Sequence, residues 1–482
     1  MVSKRHAVFW LLMAAFLQAE VIPVRTDAEL ESALARALEL QADGEAVTLV
    51  LAPGQYRTPL HLVRDTALPG SLPTLTVMAE IPGSAIFTEG VRLKDWEEDS
   101  FRTWRHALPW KAEGSGPLHL FYDGAWLSRE WVRERLDPWE YWVDLELGEI
   151  VLAVPVGSEA DFGRLQLAGR SAEARLLIRN AAQVVLEGLT FEYDFAGNQP
   201  TLFSTPQIVD SRSVTLRGCA FLRNQTGLRV LNVEELRLEE CRFQFSGEQG
   251  LSVRGSSNVG VKGVNISHNG KLEPEAVQGK VFGHALAILE PQGSHGVEQG
   301  RITDNTAGVY LGEVTGVEIR FENLVVGYHR GNGYTLVGKA GKTTIRDNRI
   351  GRNRGSAILL EQDFEMERAP AVRVENSILF AGREGDVLIN LIRGTFSLTD
   401  SIVESRAEGK ALIEISGAVG YRGEGNLFYH RGTPESAFNG GSFEAWALDP
   451  GRERESRFAD PQFLNTETLD FDMAFESPWF ER

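Results

Sequence analysis

The sequence predicts an all-β fold in which short parallel strands stack as the coils of a solenoid. One pattern occurs nine times between Val184 and Val403: an apolar centre residue and another apolar residue five places after it, with an apolar residue two places before the centre in seven of the nine. Segments of the form Gly-apolar-x-apolar, such as 227–230, add a third short strand to each coil. Because one coil cannot bury its apolar face alone, the coils must stack. The centres, spaced 22 to 36 residues apart, are Leu186, Leu216, Leu238, Val261, Val297, Ile319, Ile345, Val374 and Leu398.

Residues 1–19 have the features of a secretory signal peptide. The basic Lys4-Arg5-His6 precedes an apolar run from Ala7 to Leu17 that is too short to span a bilayer. We therefore expect a secreted or periplasmic protein with no membrane span after signal cleavage. A retained signal-anchor is the alternative.

Residues 20–90 are predicted to form an N-terminal capping helix and the first coils. Thr26 and Glu29 have the spacing of a capping box, and an apolar stripe follows at helical spacing. Such a helix would cover the open end of the solenoid. The first coils begin with the apolar run Val47 to Leu51.

Residues 91–180 are predicted to form an inserted Trp-rich β subdomain, because the coil register is lost there. Seven of the ten tryptophans fall in this segment. Asp123-Gly124 and Leu147-Gly148 are predicted to be hairpin turns.

Residues 181–430 carry the regular coils, and residues 431–482 are predicted to cap them. Eight places after most centres stands a residue suited to a tight bend. Stacked one per coil, these residues are expected to form an asparagine ladder inside the bend. Cys219 and Cys241 each lie three places after a centre, which leaves a disulfide or two buried thiols as alternatives. A β-sandwich is the alternative fold. The ladder residues are Asp194, Asn224, Ser246, Asn269, Asn305, Gly327, Asn353 and Gly382.

The coil register, the segment 51–56 (Leu-Ala-Pro-Gly-Gln-Tyr), the segment 458–463 (Phe-Ala-Asp-Pro-Gln-Phe) and Ser477-Pro478 resemble the right-handed parallel β-helix proteins of the pectate-lyase-like superfamily. This resemblance covers most of residues 20–482 and implies a right-handed parallel β-helix with three-strand coils. The insert, with its Tyr-Asp-Gly turn followed by Trp and Arg, resembles inserts of β-helix glycoside hydrolases. The catalytic motifs of polygalacturonase-like and alginate-epimerase-like enzymes are missing, since only Gly283-His284-Ala285 approaches one of them.

The formal net charge of −18 excludes nucleic acid as an expected partner, because an acidic body repels phosphate backbones. It also disfavours a uronic-acid polymer unless a basic patch or a bound cation compensates. A patch is predicted from arginines in adjacent coils: Arg212, Arg217, Arg223, Arg229, Arg237, Arg242 and Arg254.

Two rows of side chains are the candidate catalytic groups. Equivalent positions in adjacent coils lie about 5 Å apart, which is the separation of the two carboxyl groups in retaining glycosidases. By the register, Glu290 and Glu313 form one such pair, and like-charge repulsion is expected to raise their pKa values. His268 and Asp304 form a possible acid/base pair. Solvated surface residues are the alternative interpretation for both rows.

Further residues are predicted to contact the sugar. Glu192 and Asp194 would line the upper end of a groove, although Asp194 could simply end the ladder. An exposed tryptophan can stack on a sugar ring, whereas a buried one belongs to the core of the insert. The predicted substrate-binding residues are Arg254, His284, Glu192, Asp194, Trp126 and Trp131.

One long loop and one acidic loop complete the predicted site. The longest coil has a surplus segment, 271–283, that should project as a loop, and such loops often carry function. The segment 362–367 is acidic enough to bind Ca²⁺, although it lacks an EF-hand spacing. No cofactor is required by any motif, and Ca²⁺ is a possible ligand.

Three functions fit this sequence, and all use a polysaccharide or oligosaccharide as partner. A secreted glycoside hydrolase with a paired-carboxylate mechanism is the leading hypothesis. The second is a polysaccharide lyase that acts on a uronic-acid polymer through a base such as His268. The third is a non-catalytic surface-binding or adhesive β-helix protein.

Overall fold

The computed structural model describes most of the chain and divides it into two compact units. The first unit comprises residues 1–208 and 219–227, and the second comprises 209–218 and 228–482. The signal-peptide prediction lies almost wholly outside the described residues. The described ranges are 19–65, 72–109, 118–144, 146–157, 160–168, 170–171, 173–196, 205–270, 283–339, 341–363, 372–417, 419–432, 434–449, 452–469, 471–474 and 476–480.

Both units contain parallel coils, and the prediction of a right-handed parallel β-helix is confirmed. Each regular coil supplies one strand to each of three parallel sheets, because short apolar-x-apolar segments alternate inward and outward side chains. No described helix is long and apolar enough to cross a membrane.

The amino-terminal strand of the first unit pairs in parallel with the first strand after the capping helix. Leu186 pairs with Val77, which pairs with Leu49, so the coil pattern before the insert resumes in register after it. The strands of its first sheet are Ala19–Val24, Ala46–Leu51, Leu75–Ala79 and Gln183–Glu187. Those of its second sheet are Gly54–Tyr56, Ala85–Thr88, Leu189–Glu192 and Ala220–Leu222, and those of its third are Leu60–Val63 and Leu176–Arg179.

The capping helix spans Asp27–Ala42 and buries Leu30, Ala33, Leu34 and Ala37. The expected capping box is not formed, since the Thr26 side chain makes no capping hydrogen bond. The Glu29 carboxylate instead accepts a hydrogen bond from the Arg25 amide at 2.8 Å.

Two sheets of mainly antiparallel strands replace the coils between Val91 and Ala168, and Ser128–Arg129 pairs in parallel with Glu140–Asp144. Tyr122 pairs with Ala125, so Asp123-Gly124 forms a two-residue hairpin with positive φ at both positions, as predicted. The strands are Val91–Arg92, Glu97–Ser100, Thr103–Ala107, His119–Tyr122, Ala125–Trp126, Ser128–Arg129, Glu140–Asp144, Glu149–Ala153 and Leu165–Ala168. Two 3₁₀ turns, Arg133–Arg135 and Phe162–Arg164, lie among them, and Arg170–Ser171 pairs with Phe195–Ala196.

The second unit has the same coil plan. The first-sheet strands are Ser213–Arg217, Glu235–Glu239, Asn258–Lys262, His295–Glu298, Glu318–Glu322, Lys342–Arg346, Val372–Glu375, Val419–Glu424 and Glu453–Arg454. The second-sheet strands are Arg242–Gln244, Asn265–Ser267, Arg301–Thr303, Val325–Gly327, Arg349–Gly351, Ile378–Ala381, Ile402–Ser405, Leu427–His430 and Arg457–Phe458. The third-sheet strands are Leu228–Leu231, Leu251–Arg254, His284–Leu289, Ala307–Gly312, Tyr334–Lys339, Ile358–Asp363 and Ile413–Ile415.

Three features complete the list of elements. The strand Ile389–Thr399 pairs first within the third sheet and then within the first. The strand Gln207–Val209 stands at the division between the two units. Near the carboxyl end lie the 3₁₀ turns Pro434–Ser436 and Pro478–Phe480 and the short helix Phe443–Ala447.

The inward stack of the second unit follows the predicted register up to Val297, where one assignment was wrong. Leu216, Leu238, Val261 and Val297 pair in succession and are buried. Val297 then pairs with Phe321, whereas the predicted centre Ile319 pairs with His295. Ile319 and Phe321 are both apolar and two residues apart, so the period-two pattern alone cannot choose between them.

The asparagine ladder is present. Asn269 Oδ1 accepts from the Ser246 amide at 2.8 Å, and Asn305 Oδ1 accepts from the Asn269 amide at 2.9 Å. The register shift at Phe321 moves His329, not Gly327, into the ladder. Its Nδ1 accepts from the Asn305 amide at 3.2 Å, and its own amide donates to Asn353 at 3.1 Å.

The two cysteines are buried thiols and do not form a disulfide. Cys219 Sγ donates to the Leu186 carbonyl at 3.6 Å, and Cys241 Sγ donates to the Leu216 carbonyl at 3.5 Å. They therefore act as small packing residues with a weak donor.

Candidate functional site

A row of polar side chains projects from one bend of successive coils in the second unit. The residues that precede the ladder positions all have positive φ: 61° at His268, 59° at Asp304, 60° at Tyr328 and 55° at Arg352. This backbone conformation is unfavourable for residues other than glycine, and the hydrogen-bonded ladder beside it holds it in place. The strand register confirms that His268 and Asp304 stand in successive coils, as predicted.

The row opens into a polar depression with a volume of about 240 Å³. An imidazole, a carboxylate, a phenol and a guanidinium from three coils meet there, above the amide side chains of the ladder. Its lining residues are His268, Asn269, Asp304, Asn305, Thr306, Tyr328 and Arg330.

His268 is the best-placed base in this depression. Its ring stacks on Phe245 with 4.9 Å between ring centroids, and its Nδ1 is buried without a hydrogen-bond partner. Tyr328 donates a hydrogen bond to the Glu467 carbonyl, and burial raises the pKa of its phenol. The Asp304 side chain is exposed and its charge also raises the pKa of Tyr328.

Two further histidines lie close to the depression and stay neutral. His284, a predicted substrate-binding residue, pairs in register with Ala307, the neighbour of the lining residue Thr306. Burial lowers the pKa of His284 to about 4, and its ring centroid is 5.0 Å from that of Tyr310. Burial also lowers the pKa of His329 to about 3. Both rings are therefore unprotonated near neutral pH.

The Glu290/Glu313 pair is in register but does not have the expected electrostatics. Leu289 pairs with Gly312, so the two glutamates occupy equivalent positions in successive coils. Arg254 of the preceding coil reaches Glu290 at 2.6 Å, and this hydrogen bond lowers the pKa of Glu290. The expected rise from carboxylate repulsion is therefore wrong for Glu290, because the adjacent guanidinium outweighs it.

The predicted arginine patch is largely neutralised by ion pairs. Arg217 contacts Glu239 at 3.0 Å, and Arg237 contacts Glu235 at 2.7 Å. Such exposed pairs cancel the local positive charge and contribute little stability.

In the first unit, the predicted residues Glu192 and Asp194 are much more buried than expected. Glu192 has a side chain 13% exposed, and its carboxylate lies 3.5 Å from Arg223. Burial raises the pKa of Glu192 and raises that of Asp194 to about 7. Arg175 donates its amide to Asp194 Oδ2 at 2.7 Å.

The two predicted tryptophans have different environments. Trp126 is half-buried and packs on Phe121, with 4.7 Å between ring centroids. Trp131 is 73% exposed, and Arg129 covers its ring at 4.3 Å. Of this pair, Trp131 is the more accessible to a ligand, through the ring face opposite Arg129.

Sequence reasoning missed several residues of the depression at His268 and of the charged surroundings of Glu192. Tyr328 and Arg330 were hidden by the register shift at Ile319. Arg57 follows a strand of the first coils, before the nine repeats identified in the sequence, and Arg92 and Arg175 lie at the edges of the insert, outside the repeats. The sequence signal that could have found Tyr328 is its position directly before His329.

The two predicted loops lie mainly outside the described residues: 271–282 entirely, and all but the first two residues of 362–367. Among the residues that are described, no three His, Cys, Asp or Glu side chains are grouped so as to hold a metal ion. The possible Ca²⁺ ligand therefore stays a prediction.

Comparison with known proteins agrees with the fold. The family described as "Right handed beta helix region" matches residues 207–405. A solved structure titled "Glycoside hydrolase" has 10% identity and a TM-score of 0.52, covering 90% of this chain and 97% of that one. The chain is also similar to XylC, solved with xylose, with 10% identity, 86% and 82% coverage and a TM-score of 0.44.

A PL6 family alginate lyase, AlyGC, has 12% identity and a TM-score of 0.42, covering 95% of this chain and 57% of that one. No curated protein matches the sequence significantly. The family match and the likeness to the structure titled "Glycoside hydrolase" agree with a right-handed parallel β-helix and do not identify a reaction.

Proposed function

We propose that the protein is an extracellular or periplasmic enzyme that cleaves an acidic polysaccharide by β-elimination, with the depression at His268 as its active site. The observation that carries the proposal is the meeting of His268, Asp304, Tyr328 and Arg330 in one depression. These four groups supply a base, a carboxylate, a proton donor and a cation. A stacked coil holds them rigidly, as catalysis requires.

The proposed reaction uses each group once. His268 removes the proton at C5 of a uronate residue while the bond from C4 to the glycosidic oxygen breaks and a C4–C5 double bond forms. The Tyr328 hydroxyl exchanges its hydrogen bond to the Glu467 carbonyl for one to the departing oxygen and donates its proton to that oxygen. Arg330 pairs with the sugar carboxylate, which stabilises the negative charge that develops beside C5. Asp304 stabilises the imidazolium that forms on His268.

Glycoside hydrolysis by Glu290 and Glu313 is the second candidate. The register that places them in successive coils favours it, since retaining enzymes need two carboxyl groups about 5 Å apart. The ion pair between Arg254 and Glu290 weakens it, because Glu290 then holds its proton less readily than a free glutamate. Elimination is therefore the better-supported reaction.

A panel of neutral and uronic polysaccharides tests the proposal. Each is incubated with the purified protein, and both new reducing ends and the ultraviolet absorbance of an unsaturated product are followed. Elimination gives both signals, and hydrolysis gives reducing ends alone. If no substrate gives either signal, the enzymatic proposal fails and a binding role replaces it.

A further inference from the structure

A second concentration of charged side chains lies in the first unit, around Glu192. This residue ends the strand Leu189–Glu192, and its neighbour across the sheet is Thr88. Arg223 reaches the Glu192 carboxylate at 3.5 Å and donates through Nε to the Gly124 carbonyl at 3.0 Å. Arg223 therefore links the Glu192 carboxylate of the coil to the turn of the insert at Gly124.

Two exposed arginines belong to the same cluster. The charges of Arg57 and Arg92, like that of Arg223, act on Glu192 and favour its ionised form. Arg57 donates to the Gly90 carbonyl at 2.8 Å, which anchors it beside the strand Val91–Arg92. Among the residues that the structure describes, neither Arg57 nor Arg92 forms an ion pair, so both guanidinium groups keep the capacity to bind an anion.

The other carboxyl groups nearby do not neutralise these arginines. Glu89 is engaged by Arg175 at 2.7 Å. Asp194 is fully buried, with Oδ1 lacking a hydrogen-bond partner, and burial raises its pKa to about 7. The cluster is thus locally cationic in a protein whose formal charge is −18.

An aromatic group borders the cluster. Arg223 lies over the ring of Tyr193, 5.6 Å from its centroid. Tyr193 packs with Phe121 and Phe195, and half-buried Trp126 lies against this group. Tyr193, Phe121 and Phe195 are buried, so of this group only half-buried Trp126 is accessible to a sugar, whose apolar C–H face it can contact.

We propose that Arg57, Arg92, Glu192 and Arg223 form a saccharide-binding site for a sugar that carries a carboxylate. The planar guanidinium groups of Arg57 and Arg92 would pair with the carboxylate, and Glu192 would hydrogen-bond to a sugar hydroxyl. This inference rests on the proposed action on an acidic polysaccharide and adds a second place where that polymer is held.

The test measures binding by isothermal titration calorimetry to the full-length protein. The probes are oligogalacturonate, oligomannuronate, oligoguluronate and, as the uncharged match, methyl-esterified oligogalacturonate. The variants are the double substitution Arg57→Gln with Arg92→Gln, and Arg135→Gln as an exposed arginine of the same unit outside the cluster. Circular dichroism and urea midpoints verify that each variant is folded.

The parent should bind at least one acidic probe and the esterified probe far more weakly. The double variant should weaken the acidic interaction by at least about tenfold, while Arg135→Gln leaves it unchanged. Three results would each overturn the inference. The double variant could bind the acidic probe as tightly as the parent does, or the parent could bind the esterified probe as tightly as the acidic one. The third is that the parent binds none of the acidic probes.

The binding test of this site and the cleavage test of the proposed function can fail independently of each other. A protein that binds acidic probes through Arg57 and Arg92 but cleaves nothing retains this site and loses the catalytic proposal. A protein that cleaves a neutral polysaccharide and binds no acidic probe loses this site. His268→Ala, which removes the proposed base, should leave binding at Arg57 and Arg92 intact.

Discussion

The substitution Asp194→Asn should make the first unit more stable, and by an amount that depends on pH. Asp194 is fully buried, and burial raises its pKa from 3.8 to about 7. The folded state therefore keeps this proton at pH values where the unfolded chain has lost it. The stability of the parent protein falls as pH rises from about 4 to about 7 and then levels off.

The magnitude follows from the two pKa values. At 1.36 kcal/mol per pKa unit, the rise corresponds to roughly 4 kcal/mol at pH 7 and above. Asparagine has no charge to bury, and its Oδ1 can accept from the Arg175 amide as the carboxylate does. By analogy with Asn224, which donates Nδ2 to the Phe191 carbonyl at 3.1 Å, the new amide should donate to the carbonyl of Phe87 one coil earlier.

Urea unfolding at several pH values between 4 and 8.5 measures this effect. The difference in unfolding free energy between Asp194→Asn and the parent should grow through pH 4 to 7 and stay constant above. Asp95→Asn, which alters an exposed carboxylate of the same unit, should show no such trend. A difference for Asp194→Asn that is independent of pH would refute the reasoning.

Three further predictions address the coils. Val297→Asp should lower the unfolding free energy by several kcal/mol, because it buries an unpaired charge in the inward stack. A urea midpoint equal to that of the parent would show that residue 297 does not lie in that stack. The thiols of Cys219 and Cys241 should react with Ellman's reagent only in denaturant, whereas two reactive thiols in the native protein would contradict their burial. His329→Asn should preserve or raise thermal stability, since asparagine fits the ladder and removes a buried ring nitrogen that has no partner. A large loss of stability in that variant would show that the imidazole is needed there.

Much of the fold was predictable because the coil period repeats. Leu216, Leu238 and Val261 were assigned correctly, as each sits at a fixed distance from its bend. The assignment failed at Ile319 because the ladder residue eight places after Phe321 is a histidine, whereas a turn-forming glycine, Gly327, stands eight places after Ile319. A hydrogen-bond acceptor, rather than asparagine itself, is what the bend requires.

The candidate sites were less predictable than the fold. The pairing of His268 with Asp304 followed from the register, since both belong to the periodic part of the chain. The lowered pKa of Glu290 did not, because it depends on the rotamer by which Arg254 reaches across one coil. Arg57 stands at the coil position of Glu192 two coils earlier, because Tyr56 pairs with Phe87 and Phe87 pairs with Phe191, but the insert separates these coils in the sequence. Arg92 lies in the insert and belongs to no coil register.

The most direct test of the proposed active site compares kcat/KM for the parent, His268→Ala, Asp304→Asn and Glu290→Gln on the polysaccharide that gives the strongest signal. The proposal predicts a fall of at least about 100-fold for His268→Ala, because general base catalysis contributes that much or more. Asp304→Asn should also lower kcat/KM, because it removes the charge that stabilises the imidazolium. Glu290→Gln should stay within a few-fold of the parent. A severe loss in Glu290→Gln, with His268→Ala and Asp304→Asn close to the parent, would contradict the assignment and place the chemistry at the glutamate pair.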